Sequence, residues 1–168
     1  MLILGLDPGL RATGWGLIKS SGTKITHIAN GVVRVPANKE ISFRLSTLFS
    51  SLCEVIDNYS PDYAAVEEVF LNKNPASSLK LGQARGVVLL SAARNGILVT
   101  EYSATKIKKS IVGSGHADKI QMRRMVSHLL PSSKIIGHDA VDALAVAICH
   151  SHYQSYNDKI LKQINSEA

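Results

Sequence analysis

Four acidic residues stand out by where they fall: Asp7, Glu67, Asp139 and Asp142. Asp7 closes the apolar run 2–6 and precedes the turn signal Pro8-Gly9, while Glu67 closes the run 63–66. Each reads as an acid at the C-terminal edge of a buried strand, the edge at which open α/β sheets place their ligands. Asp139 and Asp142 stand three apart in HDAVDALAVAI, which puts them on one helix face. If that face lies over the strand ends, four like charges meet in one small volume and cannot all stay ionised without compensating cations. Hard divalent ions with oxygen ligands, Mg²⁺ or Mn²⁺, answer that need. Two such ions about 3.5–4 Å apart can activate water and stabilise the leaving oxygen of a phosphodiester.

Simpler readings compete at each position. Asp7 before Pro8-Gly9 suits an ordinary turn, and Asp139 suits the positive N-terminus of a helix. Asp142 is harder to dismiss, because an unpaired acid within an Ala, Val, Leu and Ile helix is costly. Glu67 and Glu68 cannot be separated by pattern, since a one-residue change of register swaps which of them faces the site.

The elements that must position these acids follow from periodicity. Residues 2–6, 14–18 and 25–35 read as strands of an antiparallel meander, with Gly22 in the second turn. Ile41, Leu45, Leu48, Leu52, Val55, Ile56 and Tyr59 recur at steps of three and four, predicting a helix over 41–59 that Ser60-Pro61 ends. A strand at 63–67 comes next. Asn74 and Pro75 start a helix over 75–95 and Gly96 stops it. A strand at 97–102 and a helix from Ser103 to about Val112 lead into the loop 113–116. Asp118 and Gln121 form a capping-box pattern for a helix over 119–130, and a last helix is predicted from about His138 to Tyr153. The expected architecture is an α/β mixed sheet, an antiparallel meander plus parallel strands, with helices on both faces. Strand 63–67 should lie parallel to strand 2–6 if helix 41–59 is their crossover. Residues 1–156 are expected to form one domain and 157–168 a flexible tail.

Bulk properties bound the class without fixing the function. The 168 residues suit a single domain, and 45% hydrophobic with 19% charged residues is a globular balance. No apolar run approaches the roughly 20 residues that span a bilayer, and the start of the chain lacks a basic n-region, so a cytoplasmic protein without membrane association is expected. Cys53 and Cys149 are far apart and fit small buried hydrophobes in helices rather than a disulfide or thiolate site. Nineteen Lys and Arg against 13 Asp and Glu give a net charge of +6. Lys106, Lys108, Lys109, Lys119, Arg123 and Arg124 flank the Gly113-Ser114-Gly115 loop. They form either a solvated helical face or a surface for nucleic-acid phosphates. His116 and His138 fall near the proposed site and receive no role.

Four blocks, LGLDPGLRATGWG at 4–16, AVEEVFLNKN at 65–74, SSLKLGQARG at 77–86 and HDAVDALAVAICH at 138–150, together resemble the RuvC family of bacterial Holliday junction resolvases. The resemblance runs collinearly over about 1–153. It implies a ribonuclease H-like fold and a homodimer that makes symmetric nicks in two opposing strands of a four-way DNA junction, in recombination and repair. It further implies Mg²⁺ or Mn²⁺, two ions per site, and cooperation with the branch-migration proteins RuvA and RuvB. By the same resemblance Asp7, Glu67 rather than Glu68, Asp139 and Asp142 are catalytic metal ligands; some relatives carry His where Asp139 stands. Lys108 and Lys119 match basic residues near the scissile phosphate, and Phe70 matches an aromatic that meets unstacked bases. Lys73, Lys106, Lys109 and Arg123 complete the expected DNA-contact set. In helix 75–95, Leu79, Ala84, Val87, Val88 and Leu90 are candidates for either a dimer interface or intramolecular core.

Three other functions share some of these features: a nuclease for RNA/DNA hybrids, an actin-like ATPase, and a DNA-binding module without catalysis. The ATPase fold needs a second lobe and more chain, and a binding module needs no carboxylates.

Overall fold

The computed structural model describes residues 1–68, 74–131 and 133–166. Its elements are β1 (Leu2–Asp7), β2 (Ala12–Ser21), β3 (Lys24–Arg34), α1 (Ile41–Tyr59), β4 (Tyr63–Glu67), α2 (Pro75–Arg94), β5 (Leu98–Tyr102), α3 (Ala104–Val112), α4 (Lys119–Leu129) and α5 (His138–Ser166). The five strands form one sheet in the order β3-β2-β1-β4-β5. β1 pairs antiparallel with β2 and parallel with β4, so the expected juxtaposition of Asp7 and Glu67 on neighbouring strand ends is present.

Side chains alternate across the sheet and feed two cores. Ile3, Ala65 and Tyr102 pack with α3, α4 and α5, whereas Leu4, Leu6, Leu17 and Val66 pack with α1 and α2. Helices therefore cover both faces, as the alternation of helical and strand patterns predicts. From Ala140 to Cys149 every residue of α5 except Asp142 is buried. A helix apolar on all sides must be enclosed, and this one lies between the sheet and the α3–α4 pair.

Its close approach depends on bare strand positions. A Cβ at Gly5 would overlap the carbonyl oxygen of Ala143, and one at Gly14 would overlap the carbonyl oxygen of Asp139. Periodicity reads glycine in a strand as a weakness, so this contact was not expected from the pattern.

The helix ends hold local surprises and agreements. Asn74 caps α2 by accepting from the amides of Ala76 and Ser77 at 3.0 and 3.3 Å. Asp118 and Gln121 close a reciprocal capping box on α4. α5 runs on to Ser166 rather than stopping near Tyr153. Residues 154–166 contain no Gly or Pro, so nothing in the local sequence breaks the helix. Cys149 is buried as expected, but Cys53 is only half-buried.

Candidate active site

β1 and β4 bring their terminal acids to the same side of the sheet. Asp7 shares parity with Ile3 and Gly5, and Glu67 shares parity with Ala65, so both face α5. Glu68 lies beyond the end of β4, its amide donating to the Tyr102 carbonyl at 2.9 Å. The register that pattern alone left open thus turns Glu67 toward the cavity.

That cavity, of about 330 Å³, is lined by Asp7, Glu67, Asp142, Lys108 and Lys119, with Ala104, Ile107, Met122 and Ala145 as its apolar wall. Each acid comes from a different element, β1, β4 and α5, and each cation from another, α3 and α4. Asp139 does not line the cavity itself but acts on its charges. Burial, then Glu67, Asp142 and Asp139, push the Asp7 carboxyl up to about 8, against the opposing pull of Lys119. Burial and then Asp142 raise Glu67, with Lys108 and Lys119 opposing. Burial raises Asp142 too; Lys119 opposes, Asp139 adds to the rise, and His138 and Lys108 oppose.

These shifts share one cause: carboxylates crowded in a poorly solvated site with too little positive charge to offset them. An all-oxygen donor set of this kind fits a hard divalent cation. Among the described residues, no three His, Cys, Asp or Glu side chains already stand in a finished coordination arrangement. The donors converge on one cavity without being drawn together.

The cations divide into two groups. Lys119 also lines a neighbouring cleft of about 640 Å³ with Ile120, Arg123, Arg124, Ser127 and His138, so it stands in the wall common to both. Lys106 faces away, its Nζ 4.2 Å from the ring centroid of Tyr153 and 5.0 Å from that of Tyr102. Lys109 lines a separate groove with Ser110, His152 and Tyr153. Only Lys108 and Lys119, of the predicted DNA-contact residues, reach the carboxylate cavity among the described residues. Phe70 and Lys73 lie outside the described residues.

The histidines sort similarly. His150 is buried with its Nδ1 3.0 Å from the Tyr102 hydroxyl, and His152 Nδ1 is 3.0 Å from Ser110 Oγ. His138 lines the second cleft, while His116 is exposed. The sequence reading missed the second cleft as a shape, although Lys119, Arg123 and Ser127 recur at a four-residue spacing that marks one face of α4.

The model of the crossover junction endodeoxyribonuclease RuvC family matches residues 3–150. The crossover junction endodeoxyribonuclease RuvC of Paramagnetospirillum magneticum is 52% identical over 164 residues, which is 98% of this chain and 99% of that one. The protein of the same name from Sphingopyxis alaskensis is 53% identical over 154 residues, 92% of this chain and 99% of that one. Among solved structures, T. thermophilus RuvC in complex with Holliday junction substrate is similar with a TM-score of 0.88 at 29% identity, covering 94% of this chain and 96% of that one. The mixed sheet with its flanking helices is accordingly the ribonuclease H-like fold. With a family match across most of its length and relatives about half identical from end to end, the chain belongs to the RuvC family of crossover junction endodeoxyribonucleases.

Proposed function

We propose that this chain resolves four-way DNA junctions by hydrolysing one phosphodiester in each of two opposing strands. The observation that carries the proposal is the cavity in which Asp7, Glu67 and Asp142 meet Lys108 and Lys119 at the C-terminal edge of β1 and β4. Asp7, Glu67, Asp139 and Asp142 are assigned as the catalytic acids that hold the metal, Asp139 from the margin. Mg²⁺ or Mn²⁺, two ions per site in this reading, would supply an activated water and charge stabilisation for the leaving oxygen.

The protein's own residues do the rest. The acids outweigh the positive charge of Lys108 and Lys119 around them, which favours cation uptake over an open salt bridge. Lys108 and Lys119 in the cavity lining would offset the charge of the scissile phosphate, and Lys119 with Arg123 and Arg124 continues the positive surface along the neighbouring cleft. Lys106 and Lys109, on the adjoining face of α3, would meet DNA only outside the cavity. Phe70 and Lys73 are assigned to the crossover, following the family match.

Two symmetric cuts need two copies, and we assign a homodimer through α2. Ala84 and Val88 are buried against this chain's own core, whereas Leu79 and Leu90 are exposed. Gly82 and Gly86 lie between them with open space where a Cβ would stand. Glycines are unfavourable in an exposed helix, and close contact with a second helix gives them a purpose. RuvA and RuvB are proposed as partners on family grounds. No described helix is long and apolar enough to cross a membrane. The nuclease domain is proposed to be 1–156, with 157–168 a C-terminal tail outside it.

The test is incubation of the purified protein with a synthetic mobile junction and Mg²⁺ or Mn²⁺. Paired nicks at symmetric positions on opposing strands are expected. Cleavage of an RNA/DNA hybrid with the junction left intact would reassign the substrate while keeping the chemistry.

A further inference from the structure

Among the described residues Arg44 forms no ion pair with a carboxylate. It is 9% exposed, on the face of α1 that carries Leu48, Leu52 and Ile56. Its Nη2 donates to the carbonyl of Leu10 at 3.0 Å, and its Nε is buried without a hydrogen-bond partner. Among the described residues the one ion pair is Arg85 with Glu101, so Arg44 is not in it. A guanidinium this enclosed without a counter-ion is unfavourable, and its surroundings show what would relieve it.

Arg44 lines a cavity of about 530 Å³ together with Arg11, Lys80, Ser77 and Gly9, and the described lining contains no acid. Arg11 belongs to the turn that follows β1, and Ser77 and Lys80 to the first turns of α2. The amides of Ala76 and Ser77 are already taken by Asn74, so the attraction for an anion comes from the side chains. The turn carrying Arg11 is held in place: Thr13, fully buried, donates its hydroxyl to the Gly9 carbonyl at 2.7 Å and accepts from the Gly9 amide at 3.2 Å.

This pocket opens on the α1–α2 side of the strand edge, while the carboxylate cavity opens on the α3–α5 side of the same edge. Arg11 follows Asp7 at the fourth position, a reach of at most about 14 Å, so a phosphate held there is a near neighbour of the scissile one on the same strand. We infer that Arg11, Arg44 and Lys80 seat a backbone phosphate of the DNA strand that is cut at Asp7, a few nucleotides from the scissile bond. The inference rests on the reading of the chain as a junction nuclease. It makes the pocket a register clamp: one phosphate held on the far side of the edge fixes which phosphate reaches the acids.

Arg11 and Lys80 are exposed, so the double variant Arg11→Gln/Lys80→Gln removes the pocket's outer charges without touching the core. Junction binding is measured by fluorescence anisotropy in EDTA over a KCl series. Loss of one phosphate contact should make the log–log salt slope shallower by about 0.9, which is about eightfold weaker binding at 0.1 M salt. A neutral methylphosphonate at one of the first four phosphates beside the cut step should weaken binding by the parental protein and have no further effect on the double variant. A second arm follows the melting temperature with added inorganic phosphate. Identical slopes and identical methylphosphonate responses overturn the DNA assignment; if inorganic phosphate nonetheless stabilises only the parental protein, the pocket serves a free anion instead. Should the parental protein fail to bind or cut junctions at all, the nuclease reading fails, and the inorganic-phosphate arm alone then supports or overturns the anion pocket.

Discussion

Asp7 pairs with Gly14 across the β1–β2 ladder, and Gly14 lies directly beneath the backbone of Asp139. The bare strand surface lets the first turn of α5 settle beside the strand end that carries Asp7. A methyl group at Gly14 would overlap the Asp139 carbonyl, so the helix start must lift or tilt. Gly14→Ala is therefore expected to destabilise the fold by about 1–3 kcal/mol and to depress nicking further than its stability loss explains. Urea unfolding and junction cleavage at a temperature where the variant is folded read the two effects separately. Full nicking by a folded Gly14→Ala protein would show that α5 does not depend on this seat.

Charge crowding at Asp7 carries a pH signature. Burial and the neighbouring acids hold its carboxyl up to about 8. Between about pH 4, where an unfolded Asp loses its proton, and about pH 8, the native state binds a proton that the unfolded chain has released. Stability of the metal-free protein should fall as pH rises through that window, and the upward shifts of Glu67 and Asp142 act in the same direction. Asp7→Asn cannot ionise. It should match the parental melting temperature near pH 4 and exceed it near pH 8, in EDTA; parallel curves for the two proteins would exclude Asp7 as the group responsible.

The same substitution separates binding from chemistry. Asn keeps the shape of Asp but is a poor ligand for a hard cation. Asp7→Asn should bind a four-way junction about as tightly as the parental protein and lose divalent-metal-dependent nicking. Undiminished nicking would remove Asp7 from the catalytic set.

How much of this site was visible in the sequence depended on what kind of contact built it. The pairing of β1 with β4 followed from two apolar runs ending in acids, because burial of a parallel strand leaves a continuous signature. The choice between Glu67 and Glu68 did not, since the local pattern is the same for either register. Gly5 and Gly14 were silent because an absent side chain contributes nothing to periodicity; the matching signal was Ala140, Ala143 and Ala147 at steps of three and four in α5. Arg44 occupies a position four before Leu48 on the buried face of α1. A charge in register with an apolar stripe was the one local hint of the pocket that Arg44 shares with Arg11 and Lys80.

The lining of the cavity predicts a split among the lysines. Lys108 and Lys119 line it, whereas Lys106 stacks on Tyr102 and Tyr153. Lys108→Ala and Lys119→Ala should each slow cleavage by about 10²-fold or more, the scale for removing a charge that acts on the transition state. Lys106→Ala should leave the rate within a few-fold and act mainly on stability through the lost ring contact. Single-turnover cleavage with saturating enzyme isolates the chemical step. A Lys106→Ala rate as low as that of Lys108→Ala would mean that the DNA path crosses the outer face of α3 instead.

Leu79 and Leu90 test the second copy. Both are exposed on α2, at 67% and 56%, on the face opposite the buried Ala84 and Val88, so a charge at Leu79 meets no core residue and the fold of one protomer should survive. If α2 packs against its symmetry mate, the same residue is repeated across the two-fold axis, and Leu79→Glu places two like charges in a desolvated contact. Sedimentation should then report a monomer where the parental protein is a dimer. The cleavage products should change with it: each monomer carries a complete set of Asp7, Glu67, Asp139 and Asp142, so single nicks persist while paired nicks on opposing strands become rare. On a supercoiled plasmid bearing a cruciform, single nicking yields relaxed circles and paired nicking yields linear DNA, which makes the ratio directly readable. A variant that stays dimeric and still gives linear product would place the interface elsewhere on the molecule.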